Sequence, residues 1–80
     1  MELPKNLTGA ELIKKLGMYG YEITRQKGSH IRIKTVENGV HSETIPNHNP
    51  LKIGTLSKIL KNIAEHLNIS KDELIQELFK

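Results

Sequence analysis

The sequence of 80 residues contains no cysteine and no tryptophan, and its aromatic residues are two tyrosines and one phenylalanine. Without cysteine the chain has no disulfide, no thiolate nucleophile and no cysteine-based zinc site, a composition typical of a reducing compartment. So few aromatic side chains argue against recognition of single-stranded nucleic acid by base stacking. The four histidines have no metal-ligand spacing, so we expect neither a metal nor a small-molecule cofactor.

Long apolar runs are also missing. No stretch approaches the roughly 18 consecutive apolar residues of a membrane span. The start of the chain, MELPKNLTGAELI, lacks the basic and then apolar layout of a signal peptide. A chain this short folds around a single core. We therefore expect one soluble, cytoplasmic domain over residues 1–80, with no membrane contact.

Positive charge is concentrated in one segment of the chain. The net charge is +3, but Arg25, Lys27, Arg32 and Lys34 give the segment 25–34 a local charge of +4 with no acid. The last ten residues carry two lysines against three acids, a local charge of −1. Clustered cations attract polyanions such as RNA or DNA, although such a run is also typical of a solvated face.

Helical signals stand near both ends of the chain. Thr8 and Glu11 form a capping-box pattern and Gly20 suits the left-handed residue after a helix, which together predict a first helix over about 9–19. Thr55 is expected to cap a second helix. Ser70 with Glu73 forms another capping-box pattern before a short final helix, which either packs or frays. The apolar stripe of the second helix consists of Leu56, Ile59, Leu60, Ile63 and Leu67.

Three strands are predicted between the helices. YEITRQ (21–26) and HIRIKTV (30–36) alternate and are joined by the turn KGS, and strict alternation puts Ile23 and Arg25 on the same face. The dipeptide NG that follows is a strong hairpin signal, after which VHSETI (40–45) returns antiparallel. Val40 and Ile45, the first and last apolar residues of that third strand, fall on opposite faces, so we expect either a bulge or a shifted register in it.

These elements predict an α+β fold in the order α-β-β-β-α. A three-stranded antiparallel sheet carries two helices on one face, with a short C-terminal helix after them. His30, Arg32 and Lys34 share the open face of the sheet, because side chains alternate along a strand. The expected core consists of Leu12, Leu16, Ile23, Ile31, Ile33, Leu56, Ile59, Leu60 and Ile63.

Two longer segments resemble a known family. ELIKKLGMYGYEITRQKGSHIRIK, followed by IPNHNPLKIGTLSKILKNI, is similar to the HicA family of small toxin messenger-RNA interferases. The resemblance rests on Gly28-Ser29-His30, Pro46-Asn47-His48 and Gly54-Thr55-Leu56, in this order and at this spacing. It covers a core of about 9–68 and leaves a C-terminal helical extension over 70–80 beyond the usual end of the family.

The resemblance implies a fold similar to a double-stranded-RNA-binding domain. It also implies a metal-independent endoribonuclease that cleaves messenger RNA and blocks translation, and a partner antitoxin of the HicB type. Carried over by position, the catalytic histidine is His30.

RNA cleavage of this kind needs specific side chains. The 2′-hydroxyl requires a base for its proton, and cations must stabilise the charge that builds on phosphorus. His30 is the candidate base. His48 is a candidate for the general acid, and Lys52, with the free amides of the second helix, for a secondary anion site. The candidate RNA-binding residues are Lys27, Gly28, Ser29, Arg32 and Lys34.

Other interpretations of the same residues remain open. The basic strand also suits an RNA-binding module without catalytic activity, which would bind RNA in a salt-dependent way and leave it intact. A third hypothesis is a face that binds only another protein, in which case no RNA affinity is expected. If these residues have no functional role, His30 is an ordinary solvent-facing strand residue and Lys52 lies beside a plain helix cap.

Overall fold

The computed structural model describes residues 3–80, so Met1 and Glu2, which open the segment used for the signal-peptide prediction, lie outside it. Its elements are α1 (Gly9–Leu16), a 3₁₀ turn (Gly17–Tyr19), β1 (Glu22–Lys27), β2 (His30–Thr35), β3 (His41–Pro46), α2 (Ile53–Leu67) and α3 (Lys71–Phe79). The three strands form one antiparallel sheet in the order β1-β2-β3. The predicted α+β fold, similar to a double-stranded-RNA-binding domain, is confirmed.

The first helix has the predicted ends. Thr8 and Glu11 form both hydrogen bonds of the capping box, at 2.9 and 3.1 Å between the paired atoms. The helical segment tightens into the 3₁₀ turn and ends at Gly20, whose φ of +81° is the left-handed conformation expected after a helix.

The second helix begins earlier than predicted. Lys52, not Thr55, occupies the cap position, and no side chain between Leu3 and Lys80 caps this end. Just before it, the backbone amide of the buried Leu51 donates to the carbonyl oxygen of Leu7 at 2.7 Å. This anchor fixes where the chain enters the helix, so the sequence signal at Thr55 was overridden by a tertiary contact.

The final helix packs rather than frays. Ser70 Oγ accepts from the Glu73 amide at 3.0 Å, which is one of the two bonds of the predicted capping box. Leu74, Ile75 and Leu78 are buried in the same core as the other helices. Because burial of each such side chain contributes roughly 1.5–3 kcal/mol, α3 is a structural part of the core.

The sheet contains one bulge, and it lies in β1. Ile23 faces Ile33 and Arg25 faces Arg32, so Thr24 is the extra residue between them. The bulge reverses the alternation, and Arg25 turns to the face opposite Ile23, contrary to the prediction. This arrangement keeps an unpaired cation in water instead of burying it at a high cost in free energy.

Of the bulge and the shifted register predicted as alternatives for β3, the bulge is absent, since β2 and β3 pair in unbroken register. The strand begins at His41, one residue later than predicted. Val40 lies before the first residue of β3 and is exposed, so it takes no part in the alternation. Ile45 is buried on the inner face, and His41 and Glu43 occupy the other two inward positions of this strand.

The core contains every predicted member except Ile23. This side chain is 55% exposed, whereas its cross-strand neighbour Ile33 is completely buried. Both α1 and α2 pack against β3, the strand at the other edge of the sheet, so the inner face of β1 projects beyond the helices. None of the helices within residues 3–80 is long and apolar enough to cross a bilayer.

Candidate nucleic-acid interface and active site

A two-residue turn places His30 at the start of β2. Lys27 and His30 face each other across the hairpin, with Gly28 and Ser29 between them. Gly28 has a φ of +58°, and a Cβ there would meet no heavy atom within 4 Å. Glycine therefore serves the backbone conformation of the turn, and the space above it is open to a ligand.

The open face of the sheet carries three cross-strand rows of side chains. Since residues on one face are two apart along a strand, successive rows are about 7 Å apart. The first two rows contain three cations and His30 and no acid, whereas the third contains Glu22. The first row is Lys27, His30 and Pro46, the second is Arg25, Arg32 and Thr44, and the third is Glu22, Lys34 and Ser42.

The first two rows surround a shallow depression of about 250 Å³, lined by Arg25, Lys27, His30, Arg32 and Thr44. Arg32 Nη1 donates to Thr44 Oγ1 at 2.8 Å, which draws the guanidinium toward β3. Within the described part of the chain, the single ion pair joins two other residues. The positive charge of the depression is therefore available to a ligand.

The His30 ring is exposed and has no hydrogen-bond partner in residues 3–80, where the histidine rings that form such bonds are those of His41 and His66. An imidazole in this situation can accept a proton from a bound ligand without first giving up a protein contact.

The second motif of the sequence lies next to this turn. Pro46 faces His30 across the β2–β3 ladder, and the Asn47 amide donates to the Ser29 carbonyl oxygen at 2.6 Å. His48 follows directly and is exposed. The fold thus brings together two motifs that are 16 residues or more apart in the sequence.

The start of α1 holds this loop in place. The Gly9 amide donates to the His48 carbonyl oxygen at 3.1 Å. Gly9 approaches so closely that a Cβ at this position would collide with the carbonyl oxygen of Pro46. Glycine is required here by the close approach of two backbones, and this contact fixes the position of the loop beside His30.

Five predicted site residues do not line the depression. Gly28 and Ser29 form the turn beside it. Lys34 is in the third row, opposite Glu22. His48 is in the loop after β3, and Lys52 is exposed at the cap of α2. Conversely, Arg25 lines the depression although the sequence did not identify it as a site residue. Its place in the cationic run 25–34 was the available signal, but strict alternation assigned it to the wrong face.

A second polar cluster lies on the inner side of the sheet. The Tyr21 hydroxyl and His41 Nδ1 are 2.7 Å apart, and the His41 ring stacks on His66 with centroids 4.6 Å apart. His41 Nε2 lies 3.7 Å from Glu43. Burial lowers the pKa of His41, and the neighbouring His66 lowers it further. Burial raises the pKa of Tyr21 to about 12.

This cluster also attaches the β2–β3 hairpin to α2. His66 Nε2 lies 2.9 Å from the Glu37 carbonyl oxygen, and Asn38 Nδ2 donates to the His66 carbonyl oxygen at 2.7 Å. The sequence assigned no role to His41 or His66, and the structure gives both of them structural partners. Between Leu3 and Lys80, no three His, Cys, Asp or Glu side chains are grouped so that they could hold a metal ion.

The protein is a small α+β domain with a fold similar to a double-stranded-RNA-binding domain. Its open sheet face carries a histidine among cations that form no ion pair within residues 3–80. The sequence profile described as HicA toxin of bacterial toxin-antitoxin matches residues 9–64, which is more than half of the chain. The chain therefore belongs to the HicA toxin family, and it is a toxin that acts with a partner antitoxin. No curated protein and no solved structure gives a significant match.

Proposed function

We propose that the protein is an endoribonuclease toxin that cleaves messenger RNA and blocks translation, with His30 as the general base. The observation that supports this proposal most directly is the His30 ring, which is exposed, has no hydrogen-bond partner in residues 3–80, and lies one row away from two arginines that form no ion pair there. A base for RNA cleavage needs a free ring nitrogen and a cationic surface for the phosphate.

In the proposed reaction, His30 takes the proton of a ribose 2′-hydroxyl while the 2′-oxygen attacks the adjacent phosphorus. The bond from phosphorus to the 5′-oxygen breaks, which leaves a 2′,3′-cyclic phosphate and, once the leaving oxygen gains a proton, a 5′-hydroxyl. Lys27 and Arg32 stabilise the negative charge on the phosphorus oxygens. Ser29, beside His30 in the open turn, offers a hydroxyl and an amide to one of these oxygens.

His48 is our candidate for the proton donor to the leaving oxygen. Its loop is joined to the turn through the bond between Asn47 and Ser29, which keeps it at the same end of the sheet as His30. We assign Lys34 and Lys52 to contacts with RNA outside the depression, where an exposed lysine acts as a point charge for a phosphate.

The test is cleavage of a defined RNA in the presence of a chelator by the wild type and by His30→Ala. A single general base contributes roughly 10²- to 10⁴-fold, so the variant should lose that factor in rate while melting like the wild type. The wild-type product should end in a 2′,3′-cyclic phosphate. Lys61→Ala, an exposed lysine of α2, is the matched surface control and should cleave normally.

Other outcomes would favour the other hypotheses. Cleavage that persists in His30→Ala removes His30 from the mechanism, and cleavage abolished by the chelator contradicts a reaction carried by these side chains alone. RNA bound by both proteins without any product supports the non-catalytic RNA-binding module, which the three unpaired cations of the depression would serve equally well. An absence of RNA binding supports a face that contacts only protein.

We further propose that the antitoxin is of the HicB type and places acidic side chains over the open face. Such a partner would exclude RNA and desolvate His30 together, because the same cations attract both ligands. In the complex, amide hydrogen exchange of β2 and chemical modification of His30 should both be slower than in the free toxin. If His30 is modified equally fast in the complex, direct occlusion is wrong.

A further inference from the structure

Two arginines face each other directly across the first two strands. Arg25 and Arg32 are Cα partners, and both side chains belong to the second row of the open face. Like charges directly opposite on a sheet are destabilising. In the described structure no carboxylate pairs with either guanidinium, and the Thr44 hydroxyl binds only Arg32. The two opposed arginines therefore have no acidic partner among residues 3–80, and a bound anion would supply one.

The bulge in β1 is what creates this pair. With strict alternation Arg25 would lie on the inner face beside Ile23; the extra residue, Thr24, turns it outward instead. Thr24 Oγ1 also donates to the Arg32 carbonyl oxygen at 3.3 Å, so the bulged backbone is tied to the strand that carries the second arginine. Both arginines then line the depression next to His30 and Lys27.

We propose that Arg25 is a phosphate-binding residue, which together with Arg32 holds the RNA backbone one row away from the phosphate at His30. The proposal rests on the proposed function. A guanidinium can donate two parallel hydrogen bonds to one phosphate, and the spacing of about 7 Å between rows separates this contact from the reacting group.

The same geometry makes the sugar–phosphate backbone, not the bases, the recognised part of the substrate. The three aromatic side chains of the protein are buried in the core or packed against it, and none belongs to the three rows of the open face, where it could stack on a base of bound RNA. Contacts from arginine to phosphate carry no sequence information by themselves. We therefore expect binding with a strong dependence on salt and a weak dependence on RNA sequence.

The decisive experiment measures binding of a short, labelled single-stranded RNA by fluorescence anisotropy at several salt concentrations. All proteins carry His30→Ala so that the RNA stays intact, and the added substitutions are Arg25→Gln, Arg25→Lys and, as the control of equal charge change on α2, Lys61→Gln. Arg25→Gln should weaken binding about tenfold and lower the slope of log K against log salt by roughly 0.7. Arg25→Lys should recover part of the affinity, and Lys61→Gln should change neither quantity.

Thermal melting shows whether Arg25→Gln weakens RNA binding directly or by destabilising the fold. Arg25→Gln removes one of two opposed like charges, so its melting temperature should equal or exceed that of its parent. With His30 restored, Arg25→Gln should raise KM while kcat changes little, as expected for a contact made equally in the ground and transition states. A lower melting temperature that accounts for the lost binding would overturn the proposal.

The remaining outcomes distinguish the role of Arg25 from the proposed function. If Arg25→Gln binds RNA like Lys61→Gln, with the same salt slope, the role of Arg25 is wrong and the proposed function stands. If the protein with native Arg25 binds no RNA at any salt concentration, both fall together. Affinity that changes strongly with base sequence at constant length would contradict recognition through the backbone alone.

Discussion

The two sides of one small sheet place histidine in opposite surroundings. On the inner side, His41 is partly buried, lies 2.7 Å from the Tyr21 hydroxyl and stacks on His66. On the open side, His30 is exposed among cations and has no ring partner in residues 3–80. A ring whose nitrogens are already engaged stabilises the fold, while a ring without partners is available to exchange a proton with a ligand.

The inner cluster also shows how neighbours determine the proton positions. The Glu37 carbonyl oxygen can only accept, so His66 Nε2, 2.9 Å away, must carry the proton of that bond. Burial lowers the pKa of His41, and the His66 ring stacked against it lowers that pKa further. This side of the sheet therefore favours a neutral His41 ring.

The largest expected difference between the two sides is that removing His30 lowers the cleavage rate, whereas removing His41 lowers the free energy of unfolding. His30→Ala should lower the cleavage rate about 10²- to 10⁴-fold and change the free energy of unfolding by no more than ~0.5 kcal/mol. His41→Ala should do the reverse, losing about 1–3 kcal/mol because the Tyr21 hydroxyl loses its partner, while the folded fraction cleaves normally.

Single-turnover cleavage and urea unfolding of both variants provide the measurement. The comparison fails if folded His41→Ala is as inactive as His30→Ala.

A second expected difference concerns acid stability. Because burial lowers the pKa of His41 below its ordinary value of 6.5, the unfolded chain takes up a proton at higher pH than the folded protein. The contribution of His41 to stability is therefore complete above about pH 6.5 and is lost as the pH falls through the folded pKa. The slope for one proton is at most about 1.4 kcal/mol per pH unit.

Urea unfolding from neutral to mildly acidic pH should show this decline in the wild type and a flatter profile in His41→Gln. His48→Gln, an exposed histidine, is the control and should keep the wild-type profile. An identical decline in His41→Gln would assign the acid sensitivity to another group.

A smaller effect is expected from the partner of His41. Tyr21→Phe removes the hydroxyl and leaves His41 Nδ1 without its bond, which should cost about 0.5–1.5 kcal/mol. In an alkaline absorbance titration, the ionisation with a pKa of about 12 should disappear in this variant. Tyr19→Phe should leave that high-pH step in place; if it removes the step instead, the assignment to Tyr21 is wrong.

The smallest expected effect tests the edge of the inner face. Ile23 and Ile33 are cross-strand partners, but the first is 55% exposed and the second completely buried. Ile33→Val should cost about 0.5–1.5 kcal/mol, whereas the same change at Ile23 should stay within ~0.5 kcal/mol. Equal losses in urea unfolding would mean that the inner face of β1 is covered in solution.

Prediction from the sequence succeeded where a signal acts between near neighbours. Thr8 and Glu11 form their capping box within one helical turn. Gly20 after the first helix has the expected positive φ, and so do Asn38 and Gly39, the two turn residues of the second hairpin. Alternation along β2 likewise placed His30 and Arg32 on the open face, because β2 is regular along its whole length.

Prediction failed where the outcome depends on contacts between distant segments. The helix signal at Thr55 was overridden by the anchored Leu51, and the expected burial of Ile23 depended on how far the helices extend under the sheet. Arg25 was assigned to the wrong face because one extra residue in a strand reverses every side chain beyond it.

The sequence by itself determined the order of helices and strands, the concentration of positive charge between residues 25 and 34, and the exposure of His30, since capping, turns and alternation are local. Only the tertiary structure decided that the bulge turns Arg25 toward His30, that the loop after β3 joins the turn before β2, and that His41 has partners. These features depend on strand register and on packing between remote residues, whose free energies no local pattern encodes.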